Sequence, residues 1–294
     1  MKKILQVEFS KLIHSKRYII TILISVALAI ISSIYSIHDE YCMRADLEKY
    51  WLMPDGIYKE DPFFCISTLY NTWIGGESGA WSTHLFFYLL PVFSAVSCGL
   101  IIYDDMKSGY VKYLLPKYGR YGYLFSKYIV GFVSAGVAIL IPLLINLLIV
   151  ACFIPARSPD SVWSEYYSIT KTYMWSYLYY TKPLIYVFLY LLIDFVYAGL
   201  FSCLTLGLSL FIRKLPVLLC GPFFSLLGLQ YVVSLLTDYR FYLELSPFNF
   251  LRAGFCPNIT NGYIIFGEGC LLLLGSIILA FIKVKNDVFE TAVI

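Results

Sequence analysis

Two acidic residues inside long apolar stretches are the side chains best suited to chemistry in this 294-residue chain. Asp194 lies ten residues into such a stretch, where a charged side chain costs about 2.5 to 3.5 kcal/mol on insertion scales. It must face a protein interior or an aqueous path, and Tyr190 and Tyr197 stand one helical turn away as hydroxyl partners. Hydrogen bonding within a bundle is favoured over contact with a polar or cationic substrate. Glu268 lies nearer the end of its stretch, so we expect it to be solvated.

Motifs for other chemistry are missing from the sequence. The three histidines are scattered, no HExxH pair occurs, and no two carboxylates share helical spacing within an apolar stretch. The chain also lacks the GxxxxGK(S/T) loop, whose glycines and lysine cradle the phosphates of a nucleotide. The sequence therefore predicts no catalytic residue, no metal site, no bound cofactor and no ATPase activity in this chain.

Residues 104–127, DDMKSGYVKYLLPKYGRYGYLFSK, form a basic and aromatic insert between two apolar stretches. A helical stripe of apolar residues at the spacing i, i+4, i+5, i+8 consists of Met106, Tyr110, Val111 and Leu114. We expect Pro116 to end this helix, and Tyr118 and Gly119 to form the turn before a second helix. An apolar face exposed to water needs a cover, so the pattern predicts that another protein docks here.

These residues must be positioned by helices in a membrane, because 60% of the chain is hydrophobic and only 14% is charged. A bilayer core about 30 Å thick needs about 20 mostly apolar residues in a helix. Six stretches reach that length, namely 18–37, 83–103, 128–153, 184–212, 216–236 and 263–282. The sequence predicts an all-α polytopic membrane protein whose six transmembrane helices form one domain, residues 1–294.

The basic residues indicate the orientation, because cytoplasmic loops carry an excess of Lys and Arg. The amino terminus, the insert, the turn at 213–214 and the carboxyl tail together hold 14 of the 22 basic residues and only five acidic ones. We therefore expect a multi-pass protein of the cell membrane with both termini in the cytoplasm. The net charge of +3 reflects this topology and is no argument for binding nucleic acid.

Two segments outside the spans carry further patterns. Residues 1–17 predict an amphipathic helix along the inner membrane surface, with an apolar stripe of Leu5, Phe9, Leu12 and Ile13. Cys42 and Cys65 share the first outer loop, residues 38–82. In an oxidising environment they are either bridged or free, and the sequence leaves both alternatives open.

The order of these segments resembles the permeases of type-2 ABC exporters, the ABC-2 group. The matching residues are Asp104 or Asp105, then Gly109, the run Leu114, Leu115, Pro116, then Arg120, and finally Ser126, Lys127. The chain departs from the family pattern by an extra residue before Arg120 and by Tyr110 where a Thr is common. The resemblance covers the whole topology. It implies that residues 1–17 are an elbow helix and that residues 104–127 contain the coupling helix.

The resemblance also implies partners. A separate ATPase subunit, which holds ATP and Mg, would dock on the insert. The implied ATPase-coupling residues are Asp105, Met106, Gly109, Tyr110, Val111, Leu114, Leu115, Pro116 and Arg120. A second copy or a related permease would pair through the first and fifth spans, where small residues such as Ala27, Ala29, Ser32, Ser33, Gly221 and Gly228 permit close approach. Residues 245–263 would then form short helices in the outer leaflet, the alternative being an ordinary aromatic outer loop.

The resulting hypothesis is a transmembrane permease subunit of an ATP-driven exporter, surrounded by membrane lipid. No residue set chooses among peptide, drug and lipid as cargo. An ion-coupled secondary carrier is the first alternative, because Asp194 would carry a proton or ion near the midplane. A membrane sensor or immunity protein without transport is the second, since the topology alone does not distinguish it.

Overall fold

The computed structural model describes residues 2–50, 67–76, 79–164, 166–167, 169–171, 173–236, 246–254 and 262–285, and these contain helices but no strand. The helices in chain order are α1 (Lys2–Ile13), α2 (Lys16–Tyr50), α3 (Leu69–Thr72), α4 (Trp81–Ser94), α5 (Ile101–Ser108), α6 (Val111–Phe153), α7 (Ser176–Thr181), α8 (Pro183–Ser209), α9 (Leu215–Leu236), α10 (Pro247–Phe250) and α11 (Gly262–Lys285). The predicted all-α fold class is confirmed for this part of the chain.

Six membrane-length segments were predicted, and within the described residues six helical segments are long and apolar enough to cross a membrane. They are α2, α4 with α5, α6, α8, α9 and α11, so the chain is a multi-pass membrane protein. The first of them continues past the predicted end at residue 37, because α2 runs to Tyr50. Arg44 donates to Glu40 one turn earlier at 2.8 Å, and such a pair stabilises a helical extension.

The second span is interrupted by a π-helical turn, Ala95–Gly99, between α4 and α5. The turn lies where this span meets α8, since a Cβ at Gly99 would come within 2.5 Å of the Thr205 side chain. Only glycine lets the two helices approach this closely. The contact fixes the base of the second span, from which α5 continues with a buried acidic residue, Asp105.

The segment between the second and third spans has two breaks. Gly109 ends α5 in the left-handed conformation, with φ 71°, so the predicted continuous helix through this segment is wrong. The prediction that Pro116 ends the next helix is also wrong, because α6 bends only at Gly119, with φ 71° and ψ 165°. Glycine adopts these angles without steric cost and other residues do not. The predicted turn at Gly119 is confirmed, and residues 101–118 form a helical hairpin, called here the hairpin.

On the other side of the membrane, two short segments pack into the ends of the spans. Residues 67–76, with α3, and residues 246–254, with α10, meet where the Gly254 amide donates to the Gly75 carbonyl at 2.9 Å. Asn146 of α6 holds the first segment, because its side-chain oxygen accepts from the Ile74 amide at 2.8 Å. Of residues 245–263, the described part thus includes one short helix, and its Phe250 is fully buried. Cys65, and with it the bridging of Cys42, lies outside the described residues.

The small residues of the first span do not form a free pairing surface. Ser32 and Ser33 are fully buried in the chain's own bundle, where Ser32 shares a 2.7 Å hydrogen bond with Thr83. Ala29 is buried with them. In the fifth span, by contrast, Cβ atoms added at Gly221 and Gly228 would meet nothing within 4 Å. Small residues therefore leave room for a partner on α9, whereas on α2 most of them serve internal packing.

Candidate functional site

The amino-terminal helix α1 packs against the protein through one narrow face. Ile4, Glu8 and Leu12, spaced by four residues, are buried, whereas Ile13 is 50% exposed. Leu12 lies in one apolar cluster with Val130 of α6. The buried face of α1 is therefore not centred on the predicted apolar stripe. It includes the acidic residue Glu8, and the rest of the chain covers it.

Glu8 belongs to a buried ion cluster that joins three helices. Lys127 of α6 is fully buried, and its Nζ lies 2.5 Å from Glu8 Oε2 and 2.5 Å from Asp105 Oδ2. Lys11 of α1 donates to the other oxygen of Asp105 at 2.7 Å, and Tyr123 donates to Asp105 Oδ2 at 3.1 Å. Two carboxylates and two ammonium groups balance, which is the condition under which buried charges are tolerated.

Lys11, the half-exposed member of the buried ion cluster, is stabilised in its charged form by its neighbours. Partial burial by itself lowers the pKa of Lys11, but the hydrogen bond and the negative charge of Asp105, with a further contribution from Glu8, outweigh it and raise that pKa. Lys11 also lies 4.4 Å above the ring of Tyr110. A second, exposed pair joins Arg17 to Asp104 at 2.7 Å. The start of α2 and all of α1 are therefore tied to the hairpin.

The apolar face of the hairpin is covered by this chain itself. Val111 and Leu114 are buried in one cluster with Leu206 of α8 and Ala280 of α11. The expectation that this stripe is exposed to water is therefore wrong for Val111 and Leu114, because the ends of other spans cover them. Docking of another protein on the insert stays a prediction. Among the other proposed coupling residues, Asp105 is buried, Pro116 is exposed, and the partly buried ones are Met106, Gly109, Tyr110, Leu115 and Arg120.

The opposite face of the hairpin is exposed and positively charged. Its most exposed large hydrophobic side chain is Tyr113, at 78%, and the lysines Lys107, Lys112 and Lys117 of the hairpin are exposed as well. We call these four residues the basic tip. The hairpin thus has a face that contacts the spans and a face that is available to another molecule, and the predicted stripe lies mainly on the first.

Asp194 lies apart from these residues, in the middle of α8, and is completely buried. Within the part of the chain that the structure describes, neither of its carboxylate oxygens has a hydrogen-bond partner. Tyr197 is not the predicted partner, because its hydroxyl donates to the Ile265 carbonyl at 2.7 Å. Glu268 differs from prediction as well: both its oxygens are buried and lack hydrogen bonds to described residues, so it is not solvated.

Sequence reasoning missed Glu8, Lys11 and Tyr123, and did not recognise Lys127 as buried. One local signal was present. Glu8 stands three residues after Leu5 and four before Leu12, so an acidic residue interrupts the apolar face of a basic helix. A charge on the buried face of an amphipathic helix requires a partner of opposite sign. Which lysine supplies it is decided by packing.

Comparison with known proteins adds no relative, since no family model, curated protein or solved structure matches this chain. Among the described residues, no group of three or more His, Cys, Asp or Glu side chains could hold a metal ion.

Proposed function

We propose that this chain is the transmembrane permease subunit of an ATP-driven exporter and that a separate subunit hydrolyses ATP. The observation that carries the proposal is the buried ion cluster, which joins α1, α5 and α6 beneath the basic tip. Buried, close-packed groups cannot shift independently, because separation leaves an uncompensated charge or a void. A force applied to the tip would therefore move the three helices together.

The path from the tip to the membrane supports the same proposal. The apolar face of the hairpin rests on Leu206 and Leu210 near the end of α8 and on Ala280 near the end of α11. Displacement of the hairpin would thus press on the fourth and sixth spans as well as on the second and third. A segment in contact with four spans is suited to transmit a movement from outside the bilayer to a pathway within it.

The partner that fits the basic tip is an ATPase subunit whose docking surface is acidic and accommodates an aromatic ring, because the tip combines three exposed lysines with an exposed tyrosine. ATP and Mg would be held entirely by that subunit. A second permease would pair along α9, where Phe224 and Leu235 are 64% and 67% exposed and the two glycines leave room. The pathway would then lie between two copies, or between this chain and a related permease.

The test is purification from the native host in mild detergent, with identification of co-purifying chains by mass and an assay of ATP hydrolysis. We expect a stoichiometric ATPase that is lost from the variant Tyr113→Glu. The matched control is Tyr177→Glu, at a tyrosine of α7 that is 81% exposed and lies on the other side of the membrane. Retention of the ATPase by both variants would contradict docking at the tip, and absence of any ATPase would contradict the exporter itself.

A second candidate function is an ion-coupled carrier, and the observation that favours it is the buried carboxylate of Asp194, which has no hydrogen-bond partner among the described residues. Acidic residues inside transmembrane segments mark ion pathways and proton relays, so Asp194 is a candidate proton or cation site. The variant Asp194→Asn, reconstituted in vesicles with an imposed pH gradient and no ATPase, separates the two candidate functions. Proton uptake that the gradient drives in the unaltered protein and that vanishes in this variant would support the carrier. Absence of such uptake from the unaltered protein would remove this candidate.

A further inference from the structure

An apolar groove of about 730 Å³ runs between α6 and α11, in the half of the bundle that carries the hairpin. Its walls include Tyr121, Phe125, Phe132, Cys203, Ile277 and Phe281. The two aromatic residues at its end, Tyr121 and Phe281, have ring centroids 6.1 Å apart. The hydroxyl of Tyr128, a polar group in the wall, already donates to the Ser276 carbonyl at 2.9 Å. The groove therefore favours an apolar occupant.

The length of the groove matches one leaflet of a bilayer. Its α6 wall extends from Tyr121 to Val133, which is about 18 Å at 1.5 Å per residue. Half of a hydrocarbon core about 30 Å thick is about 15 Å. A single acyl chain of the adjoining leaflet therefore has the length and the polarity to lie along it.

Basic side chains lie beyond the aromatic end of the groove. Lys283 follows Phe281 in α11, and its Nζ lies 5.1 Å from the ring centroid of Phe211, just after α8. Arg213, two residues further on, is close enough for its charge to act on Lys283. In the described part of the chain neither side chain forms an ion pair with a carboxylate. Two neighbouring positive charges at the end of an apolar groove are complementary to a ligand that joins an anionic group to a hydrocarbon chain.

We propose that the groove binds an anionic phospholipid, with one acyl chain between α6 and α11 and the phosphate group between Lys283 and Arg213. Basic pockets between helices, at the membrane surface, recognise lipid headgroups in this way. The proposal does not depend on the exporter function, because it uses only the spans and the charges at their ends. Failure of either proposal leaves the other in place.

The headgroup is tested by native mass spectrometry of the full-length protein, delipidated in detergent and titrated with phosphatidylglycerol or phosphatidylcholine of identical acyl chains. We expect phosphatidylglycerol to bind at least about tenfold more tightly, since each basic side chain near the membrane surface attracts anionic lipid. The double variant Lys283→Gln, Arg213→Gln should lower its affinity to that of phosphatidylcholine. Lys182→Gln, on the other side of the membrane, is the control and should change nothing.

The groove is tested by filling it. A Cβ at Gly122, in the wall, meets only Tyr118 Cβ, at 3.9 Å, so the backbone admits a side chain here and we expect Gly122→Leu to occupy part of the groove. Gly275→Leu is the matched control, because a Cβ there meets nothing within 4 Å and the residue is outside the lining. We expect phosphatidylglycerol affinity to fall several-fold in the first variant only, with both melting temperatures in lipid-free detergent near that of the unaltered protein.

Three results would overturn the proposal. The first is equal affinity for the two lipids. The second is displacement of bound phosphatidylglycerol by inorganic phosphate at the same concentration at which free phosphatidylglycerol displaces it. The acyl chain in the groove would then contribute nothing to affinity. The third is unaltered phosphatidylglycerol binding by the charge-neutral double variant, which remains decisive even where Gly122→Leu fails to fold.

Discussion

Two buried aspartates of this protein show opposite solutions to the same physical problem. Asp105 and Asp194 are both completely buried. Asp105 accepts from Lys11 and Tyr123 and contacts Lys127, whereas the oxygens of Asp194 have no hydrogen-bond partner among the described residues. A paired carboxylate holds its neighbours in register, and an isolated one is a cost unless something uses it. The charge of Asp105 is therefore compensated within the protein, whereas the carboxylate of Asp194 has no hydrogen-bonded compensation among the described residues.

Removal of the central cation should have the largest effect on this contrast. We expect Lys127→Met to lower the free energy of unfolding by about 3 to 5 kcal/mol, because Glu8 and Asp105 would be left buried without their shared cation. Unfolding in mixed detergent and SDS measures the loss. Adding Glu8→Gln and Asp105→Asn to the same variant should recover a large part of it. If the triple variant were no more stable than Lys127→Met alone, uncompensated charge would not be the cause of the loss.

Truncations on the two faces of the hairpin should differ in their cost to stability. We expect Leu114→Ala to cost about 2 to 4 kcal/mol, because it opens a cavity against α8 and α11. Tyr113→Ala, at the neighbouring exposed position, should stay within about 0.5 kcal/mol of the unaltered protein. The same unfolding assay compares them. An equal loss of unfolding free energy in the two variants would mean that Tyr113 packs against another part of the isolated chain.

Neutralising each of the two aspartates is the most direct comparison. Asp105→Asn should lower the free energy of unfolding by about 1.5 to 3 kcal/mol, since it weakens hydrogen bonds to a charged group and leaves Lys127 under-compensated. Asp194→Asn should leave stability within about 1 kcal/mol of the original or raise it, because an unpartnered buried group is replaced by an uncharged one. A large loss in the second variant would reveal a partner for Asp194.

The smallest effect is expected at the exposed edge of the buried ion cluster. Lys11→Gln should cost less than about 1 kcal/mol, because Lys11 is half exposed and Lys127 still compensates Asp105. Raising the salt concentration should shrink this difference further, and should leave the larger effect of Lys127→Met nearly unchanged. Equal salt dependence in both variants would contradict the assigned difference in burial.

Much of the fold could be predicted from the sequence, and less of the site. Six apolar stretches correspond to the six membrane-length helices of the described part of the chain, and the turn at Gly119 within the insert was predicted as well. The apolar spacing of residues 106–114 was also real, but it did not say what would cover the stripe. That face packs on α8 and α11, whose ends are distant in sequence. A periodic pattern reports that a face is buried and leaves its partner unspecified.

The sequence by itself determined the six membrane helices of the described residues and the break at Gly119, because hydrophobic length and glycine's backbone freedom are properties of consecutive residues. Only the tertiary structure decided which charges meet. Lys11 and Asp105 are 94 positions apart, and their pairing depends on how α1 lies against the second and third spans. The same packing left Asp194 without a hydrogen-bond partner among the described residues, since burial is local to a helix face but compensation requires another helix to bring the opposite charge.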